Sequence, residues 1–371
     1  MKKKIIPVNE PIFFGNEKKY LANCIDTRWI GSDGKYVNLL EKKLSSFVKR
    51  RFGIAVSSGT AALEIAFASL KLKKNDEVIL PSFTIISCLN PILRAGAKPI
   101  FIDVDPKTWN MDVNQIEKKI TKKTKIILAV HIYGLPTYMP KIIKLAKKYR
   151  LKVIEDASEV IGQKINKKMC GSFGDLSTFS FYTNKHITTG EGGMIFTNNK
   201  SLAKLSQSYK NLFFEKKRFV HRELGWNYRM SNIQAAIGLA QFENINSIVK
   251  LKREIGNMYN DKLKNLKYIK LQPKKTSYAN NIYWVIGLII TNKKYKVEKI
   301  TRKLLSKGIQ TRPFFWGLHK QPLLKKYSYF KKEFLPNTEF LSENGFYLPS
   351  GLGLKKSQVN YICKELKAIF S

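Results

Sequence analysis

The sequence predicts an α/β fold: a three-layer large domain around a mostly parallel sheet, followed by a smaller C-terminal α/β domain. Three observations predict it. The chain has 371 residues, enough for one large α/β domain and a second, smaller one. Between about Arg51 and Asn198, short apolar runs alternate with helix-like segments, as strands alternate with crossover helices. Several runs are almost continuously apolar, as expected of strands buried on both faces of a parallel sheet.

The elements follow in order. The segment before Arg51, "NEKKYLANCIDTRWIGSDGKYVNLLEKKLSSFV", reads as two helices around a "WIGSDGKY" loop. The expected strands are "FGIAV", "EVILPS", "KPIFIDV", "KIILAVHIYG", "KVIEDAS", "STFSFY" and "GGMIFT". Of the crossovers, "TAALEIAFASLKL" has helical apolar spacing after a Ser-Ser-Gly turn, and "DVNQIEKKI" and "MPKIIKLAKKYR" are amphipathic. From Ser231 a long helical pattern, "SNIQAAIGLAQFENINSIVKLKREIGNMYNDKLKNL", leads toward the second domain. There a strand "NIYWVIGLIIT", a helix "KVEKITRKLLSKG", a strand "IQTRPFF" and a closing helix "KSQVNYICKELKAIF" are expected. The boundary is placed near Ile248, giving a large domain over 1–248 and a small one over 249–371.

Composition narrows the function. There are 67 Lys+Arg against 27 Asp+Glu, a formal charge of +40. Such a charge invites a nucleic-acid or membrane reading. The basic residues are mostly Lys, and they are scattered ("KLKKND", "KKITKKTK", "KIIKLAKKYRLK") with no single stripe. A solvated Lys-rich surface is the better reading, with no nucleic acid and no membrane as partner. The same field would attract an acidic small molecule. Cys24, Cys88, Cys170 and Cys363 are far apart, with no CxxC pair and no metal-ligand spacing. Buried free thiols in a reducing compartment are expected, and no metal. "MKKKIIPVNEPIFF" lacks a sustained apolar stretch, and the longest apolar run, "YWVIGLII", is far short of a membrane span. A cytoplasmic protein is expected.

Three stretches carry chemistry. In "VSSGTAAL" a strand ends, turns at Gly59 and starts a helix. Free N–H groups there form an anion site, to which Thr60 adds a hydroxyl. A generic N-cap explains Ser58 and Thr60 equally well. The stretch is neither a Walker A loop nor a GxGxxG fingerprint. In "KVIEDASEVIG", Asp156 closes a strand at the end where parallel sheets bind ligands, though it could instead cap the next helix. In "FSFYTNKHITTGEGGMIF", Lys185 lies between an apolar strand and a turn with three glycines. Most other lysines sit in polar runs. A lysine that loses hydration there becomes a free amine, reactive toward carbonyls. An anion cup, a strand-end Asp, the Ser of "FSF" and then a Lys is the order that pyridoxal 5′-phosphate (PLP) needs. The cofactor requires a phosphate site, a carboxylate at its ring nitrogen and a lysine amine.

On these residues the chain resembles the sugar-nucleotide aminotransferases of the DegT/DnrJ group, within the aspartate-aminotransferase-like (type I) PLP fold. The resemblance covers nearly the whole length, through "RWIGSDGKYV", "SSGTAAL", "EVILPSFTIISCLNPILRAGAKPIFIDVDP", "VHIYG", "EDASEVIG", "GSFGDLSTFSFYTNKHITTGEGGM", "GWNYRMSNIQAAIGLAQFE" and "GIQTRPFFWGLH". The "NKxITTGEGG" and "NYRMSNIQAAIGLAQ" wording resembles the GDP-perosamine synthase subgroup. The resemblance implies that Lys185 bonds the cofactor and then works as general acid and base. It implies that Asp156 pairs with the ring nitrogen, Glu159 lies near the phenolic oxygen, and Gly59, Thr60 and Ser180 hold the phosphate. It also implies that Asn227 reaches the phosphate from a neighbouring subunit, so that a homodimer shares its active sites. The bland reading of Asn227 is a loop or cap residue. Arg229 is a substrate or interface cation, or a surface arginine. His319 matches a substrate-proximal histidine, or is a loop histidine. Phe314, Phe315 and Trp316 line the substrate pocket or belong to the small-domain core.

There are departures from the family pattern. Ile85 stands where relatives stack an aromatic residue on the ring, so apolar packing would replace stacking. His186 follows Lys185 where relatives have a small or aliphatic residue, and it reads as structural. Relatives that replace the lysine with His are dehydratases; Lys185 favours transamination. The implied reaction moves an amino group from L-glutamate to a nucleotide-linked 4-keto-6-deoxy sugar. The rivals are an aminotransferase on a UDP- or dTDP-linked keto sugar, a PLP-dependent dehydratase and a basic nucleic-acid-binding protein on the same scaffold.

Overall fold

The computed structural model describes residues 5–327 and 333–370, apart from 216 and 218. Helices α1 (Glu17–Asp26) and α2 (Lys35–Phe47) flank the "WIGSDGKY" loop, as expected. The alternating region then runs β1 (Phe52–Val56), α3 (Gly59–Ser69), β2 (Glu77–Pro81), α4 (Asn90–Arg94), β3 (Lys98–Ile102), β4 (Thr124–Val130), α5 (Met139–Tyr149) and β5 (Lys152–Asp156). A two-stranded hairpin, β6 (Lys164–Ile165) and β7 (Lys168–Met169), precedes β8 (Leu176–Ser180), β9 (Gly193–Thr197) and α6 (Lys200–Lys210).

The large sheet has the order β1-β9-β8-β5-β4-β2-β3. β9 pairs antiparallel with both neighbours, and all other pairs are parallel. The apolar runs are buried on both faces. Ile127 and Ala129 of β4 enter one core cluster, and Ile126, Leu128 and Val130 enter the other. This is why β4 reads as a continuous apolar run: neither face meets water.

Helices α7 (Asn232–Glu243) and α8 (Ile245–Leu263) replace the single long helix that the sequence predicts. A capping box starts α7: the Ser231 hydroxyl accepts from the Gln234 N–H, and the Gln234 side chain accepts from the Ser231 N–H. The break falls at Asn244, whose side-chain amide donates to the Ala240 carbonyl, a local bond that competes with helix continuation. Along α8, Ile245, Ile248 and Val249 pack in the large-domain core, and Ile255, Tyr259 and Leu263 in the small-domain core.

The small domain contains β10 (Ile269–Leu271), β11 (Ile286–Ile290), α9 (Val297–Ser306), β12 (Arg312–Pro313), α10 (Pro336–Asn344), β13 (Gly345–Leu348) and α11 (Lys356–Phe370). Its sheet, β10-β11-β13-β12, is antiparallel throughout. The expected strand "IQTRPFF" shrinks to the edge pair β12, because Pro313 has no N–H for a ladder. The chain start also belongs here: the Ile6 N–H donates to the Gly308 carbonyl, and Ile6 sits in the small-domain core. The helix expected at "DVNQIEKKI" is reduced to one 3₁₀ turn, Glu117–Lys119. Asp112 accepts from the Asn114 N–H and the Gln115 side chain, an Asx arrangement that favours a turn.

His186 is buried. Its Nε2 lies 3.3 Å from the Ile282 carbonyl, and its Nδ1 has no partner. Burial, then the charge of Lys252, pushes its pKa down to about 3. An unfolded histidine titrates near 6.5. Between these values the unfolded chain takes up a proton that the folded chain refuses, so this site costs stability as pH falls. His186→Leu removes the effect. Between pH 7 and pH 5, urea titration should show wild type losing about 2 kcal/mol more than the variant. Equal losses would mean that His186 is charged in the fold.

Candidate active site

The strand ends of the large sheet and the edge of the small sheet enclose a cavity of about 510 Å³. The large domain supplies Gly59, Thr60, Ile85, Asp156, Glu159, Ser180 and Lys185; the small domain supplies Arg312, Phe315 and Tyr347. These seven large-domain residues were singled out by sequence; others on the wall, among them Thr84, Tyr182 and Glu191, were not.

The anion cup is built by backbone. Ser58 caps α3, accepting from the Ala61 N–H at 3.0 Å, which leaves the other first-turn N–H groups open to the cavity. A Cβ on Gly59 would lie 2.6 Å from the Ser180 Cβ. Only glycine therefore lets β8 close against the helix start. Thr60 and Ser87 hydroxyls are 2.9 Å apart at the rim. Ile85 is 45% exposed and offers an uncovered apolar face to the cavity.

Asp156 closes β5 and is buried. Its Oδ1 accepts from the Ser158 N–H at 3.1 Å, with the Thr178 hydroxyl at 3.5 Å. The Cys88 thiol donates to its Oδ2 across 3.5 Å. Burial, then Asp156, pushes the Cys88 thiol up, so it stays protonated and donating. Sequence reasoning grouped Cys88 with inert thiols. Its spacing carries no signal, and only folding brings it to the carboxylate.

Lys185 Nζ lies 4.0 Å from Glu159 Oε1. Burial lowers the lysine pKa, while Glu159, Asp156 and Cys88 oppose the shift. Burial raises Glu159 to about 8, against Lys185 and against the Tyr133 N–H, which donates to it at 2.7 Å. Desolvation disfavours both charges, which eases release of a proton from the lysine and makes its amine more available as a nucleophile. The Asn184 carbonyl accepts from the Asn9 side chain and the Trp284 indole, while its buried Oδ1 has no partner.

Other sequence candidates lie elsewhere. His319 is buried outside the cavity: Nδ1 is 2.7 Å from Ser82 Oγ and Nε2 is 3.2 Å from Glu339 Oε1. Both ring nitrogens are engaged within the chain. Arg229 donates to Asn211 and lines a second cavity with Glu41 and Lys210. Asn227 is exposed and outside its own chain's cleft. Phe315 lines the cleft, Phe314 is core and Trp316 is half-exposed. Sequence reasoning missed Trp284, Arg312 and Tyr347, because nothing local ties small-domain residues to a distant sheet end.

Among the described residues, one cluster has metal-ligand chemistry: His131, Glu155 and Cys170, all buried. The atoms of His131 and Glu155 are already engaged. His131 Nε2 is 3.0 Å from Glu155, its Nδ1 accepts from the Thr137 N–H, and Glu155 accepts from the Gly171 and Phe173 N–H groups. It is a hydrogen-bonded core network.

The donor set of the cleft fits PLP: a helix start with a glycine cradle, a buried carboxylate and a desolvated lysine converge on one cavity. Fold and site together define a type I PLP enzyme, and solved structures of this kind share the fold. The aminotransferase PseC of Helicobacter pylori, involved in the biosynthesis of pseudoaminic acid, superposes with a TM-score of 0.93 over 99% of each chain at 24% identity. More particularly, the chain belongs to the DegT/DnrJ/EryC1/StrS aminotransferase family, whose model matches residues 13–367. It is a PLP-dependent aminotransferase. It is 41% identical to a GDP-perosamine synthase of Escherichia coli O157:H7 over 369 residues, 99% of each chain. A GDP-perosamine synthase of Vibrio cholerae is 38% identical, covering 99% of this chain and 100% of the relative.

Proposed function

We propose that the protein transfers the amino group of L-glutamate to a GDP-linked 4-keto-6-deoxy sugar, for polysaccharide or O-antigen synthesis in the cytoplasm. The observation that carries this reading is the meeting of Lys185, Asp156 and the α3 N-terminus in one cavity. The choice of substrate rests on the two full-length GDP-perosamine synthase relatives.

Bound there, PLP supplies an aldehyde carbon that bonds amines and a protonated ring that withdraws electrons. The α3 N-terminus, Gly59, Thr60 and Ser180 would hold the phosphate. Asp156 would keep the ring nitrogen protonated, and Glu159 would lie near the phenolic oxygen. Lys185 Nζ would bond the aldehyde carbon and, when free, would serve as general base and then general acid, taking the donor's α-proton and giving it back. The balance is one amine and one ketone exchanged between donor and acceptor, with no net redox change. Arg312 on the cleft wall is a cation available to a carboxylate or diphosphate.

The exposed Asn227 suits a residue that serves the neighbouring subunit's phosphate in a homodimer. Four free, buried cysteines suit a reducing compartment. Among the described residues, no helix is long and apolar enough to cross a membrane. We place the domain boundary near Ile248, so that the cavity lies between the two domains.

The test is incubation with PLP, glutamate carrying heavy nitrogen, and 4-keto-6-deoxy sugars linked to GDP, UDP or dTDP. Heavy nitrogen is expected in the GDP-sugar product. Ammonia release with a deoxy sugar, or amination of only the UDP or dTDP substrates, would overturn the reading.

A further inference from the structure

The indole of Trp284 lies directly beneath the reactive amine: Lys185 Nζ sits 3.8 Å from the ring centroid. The ring is buried, and the residue is held through both its indole and its backbone. Its Nε1–H donates to the Asn184 carbonyl at 2.7 Å, the residue that precedes Lys185. Its own carbonyl accepts from Lys252 Nζ at 2.9 Å, and that amine also donates to the Ser350 carbonyl at 2.6 Å. Lys252 is buried, and its amine braces backbone from α8. The indole thus has one available orientation, with a π face toward Lys185.

We propose that Trp284 is a positioning residue whose indole face holds the Lys185 ammonium whenever that amine is not bonded to the cofactor. The idea rests on the reading of Lys185 as the reactive amine. In that reading Lys185 becomes an ammonium after each proton abstraction, inside a cleft that strips its water. The negative face of an indole stabilises a desolvated ammonium without accepting its proton. It thus keeps the charge near the reaction centre, where a carboxylate contact would risk taking the proton. Glu159 at 4.0 Å is the competing acceptor.

The readout is the pH dependence of PLP attachment to apoprotein, followed by absorbance, since only the free amine of Lys185 attacks the aldehyde. The other titratable or charged groups facing this amine, Glu159, Asp156, Cys88, Glu191, Tyr182, Arg312 and Tyr347, are unchanged in every variant. Trp284→Leu should move the midpoint down by about one pH unit, and Trp284→Phe by much less. Fluorinated tryptophan, incorporated at all five Trp positions, keeps the shape and weakens the π face. It should lower the midpoint stepwise with each added fluorine, whatever the folding of the Leu variant. A midpoint indifferent to fluorination, or equal shifts in Phe and Leu variants, would overturn the proposal. Failure of the wild-type apoprotein to attach PLP at Lys185 would instead overturn the reading beneath it.

Discussion

Lys185→Ala is expected to abolish transamination, with a loss of at least about 10⁴-fold, as when a group that both bonds and moves protons is removed. The variant should still fold. Lys185 sits at a turn on the cavity wall, and the Trp284 ring it lies over is held through Asn184 and Lys252. PLP should still enter through the phosphate cup, without the near-visible absorbance band of the lysine-bonded form. A variant that retains both the band and turnover would mean that another amine does the work. The scattered lysines make that a real alternative, but Lys185 is the lysine that lines the cavity with Asp156 and Glu159.

Asp156→Asn is expected to lower kcat by about 10²–10³-fold, the typical cost of removing a preorganised charge from a desolvated site. The amide is isosteric and keeps an oxygen for the Ser158 N–H and the Thr178 hydroxyl, so the fold should survive. What is lost is the negative charge that keeps the ring nitrogen protonated. The loss should therefore fall on kcat more than on PLP affinity. A variant with normal kcat and weakened PLP binding would reduce Asp156 to a steric contact.

The large sheet was legible because its strands are buried on both faces. Each of the seven apolar runs corresponds to a strand, from Phe52–Val56 to Gly193–Thr197. The small-domain strands β10 and β13 were not, being only three and four residues long. The break at Asn244 depends on one side-chain hydrogen bond that helical periodicity cannot register. The site divides in the same way. Gly59, Asp156 and Lys185 carry local signatures: a helix start, a strand end and a Gly-rich turn. Cys88 reaches Asp156, and Trp284 reaches the cleft, through tertiary packing alone. His319 could not be settled from its motif, and its partners Ser82 and Glu339 come from distant or later segments.

The central claim is that one amine, Lys185 Nζ, bonds the cofactor's aldehyde carbon. Borohydride reduction of the PLP-loaded enzyme fixes that bond, and proteolysis with mass spectrometry locates it. The account predicts the added mass on the peptide that contains Lys185 and on no other. Label on a different lysine, or reduced protein with no added mass, would contradict it.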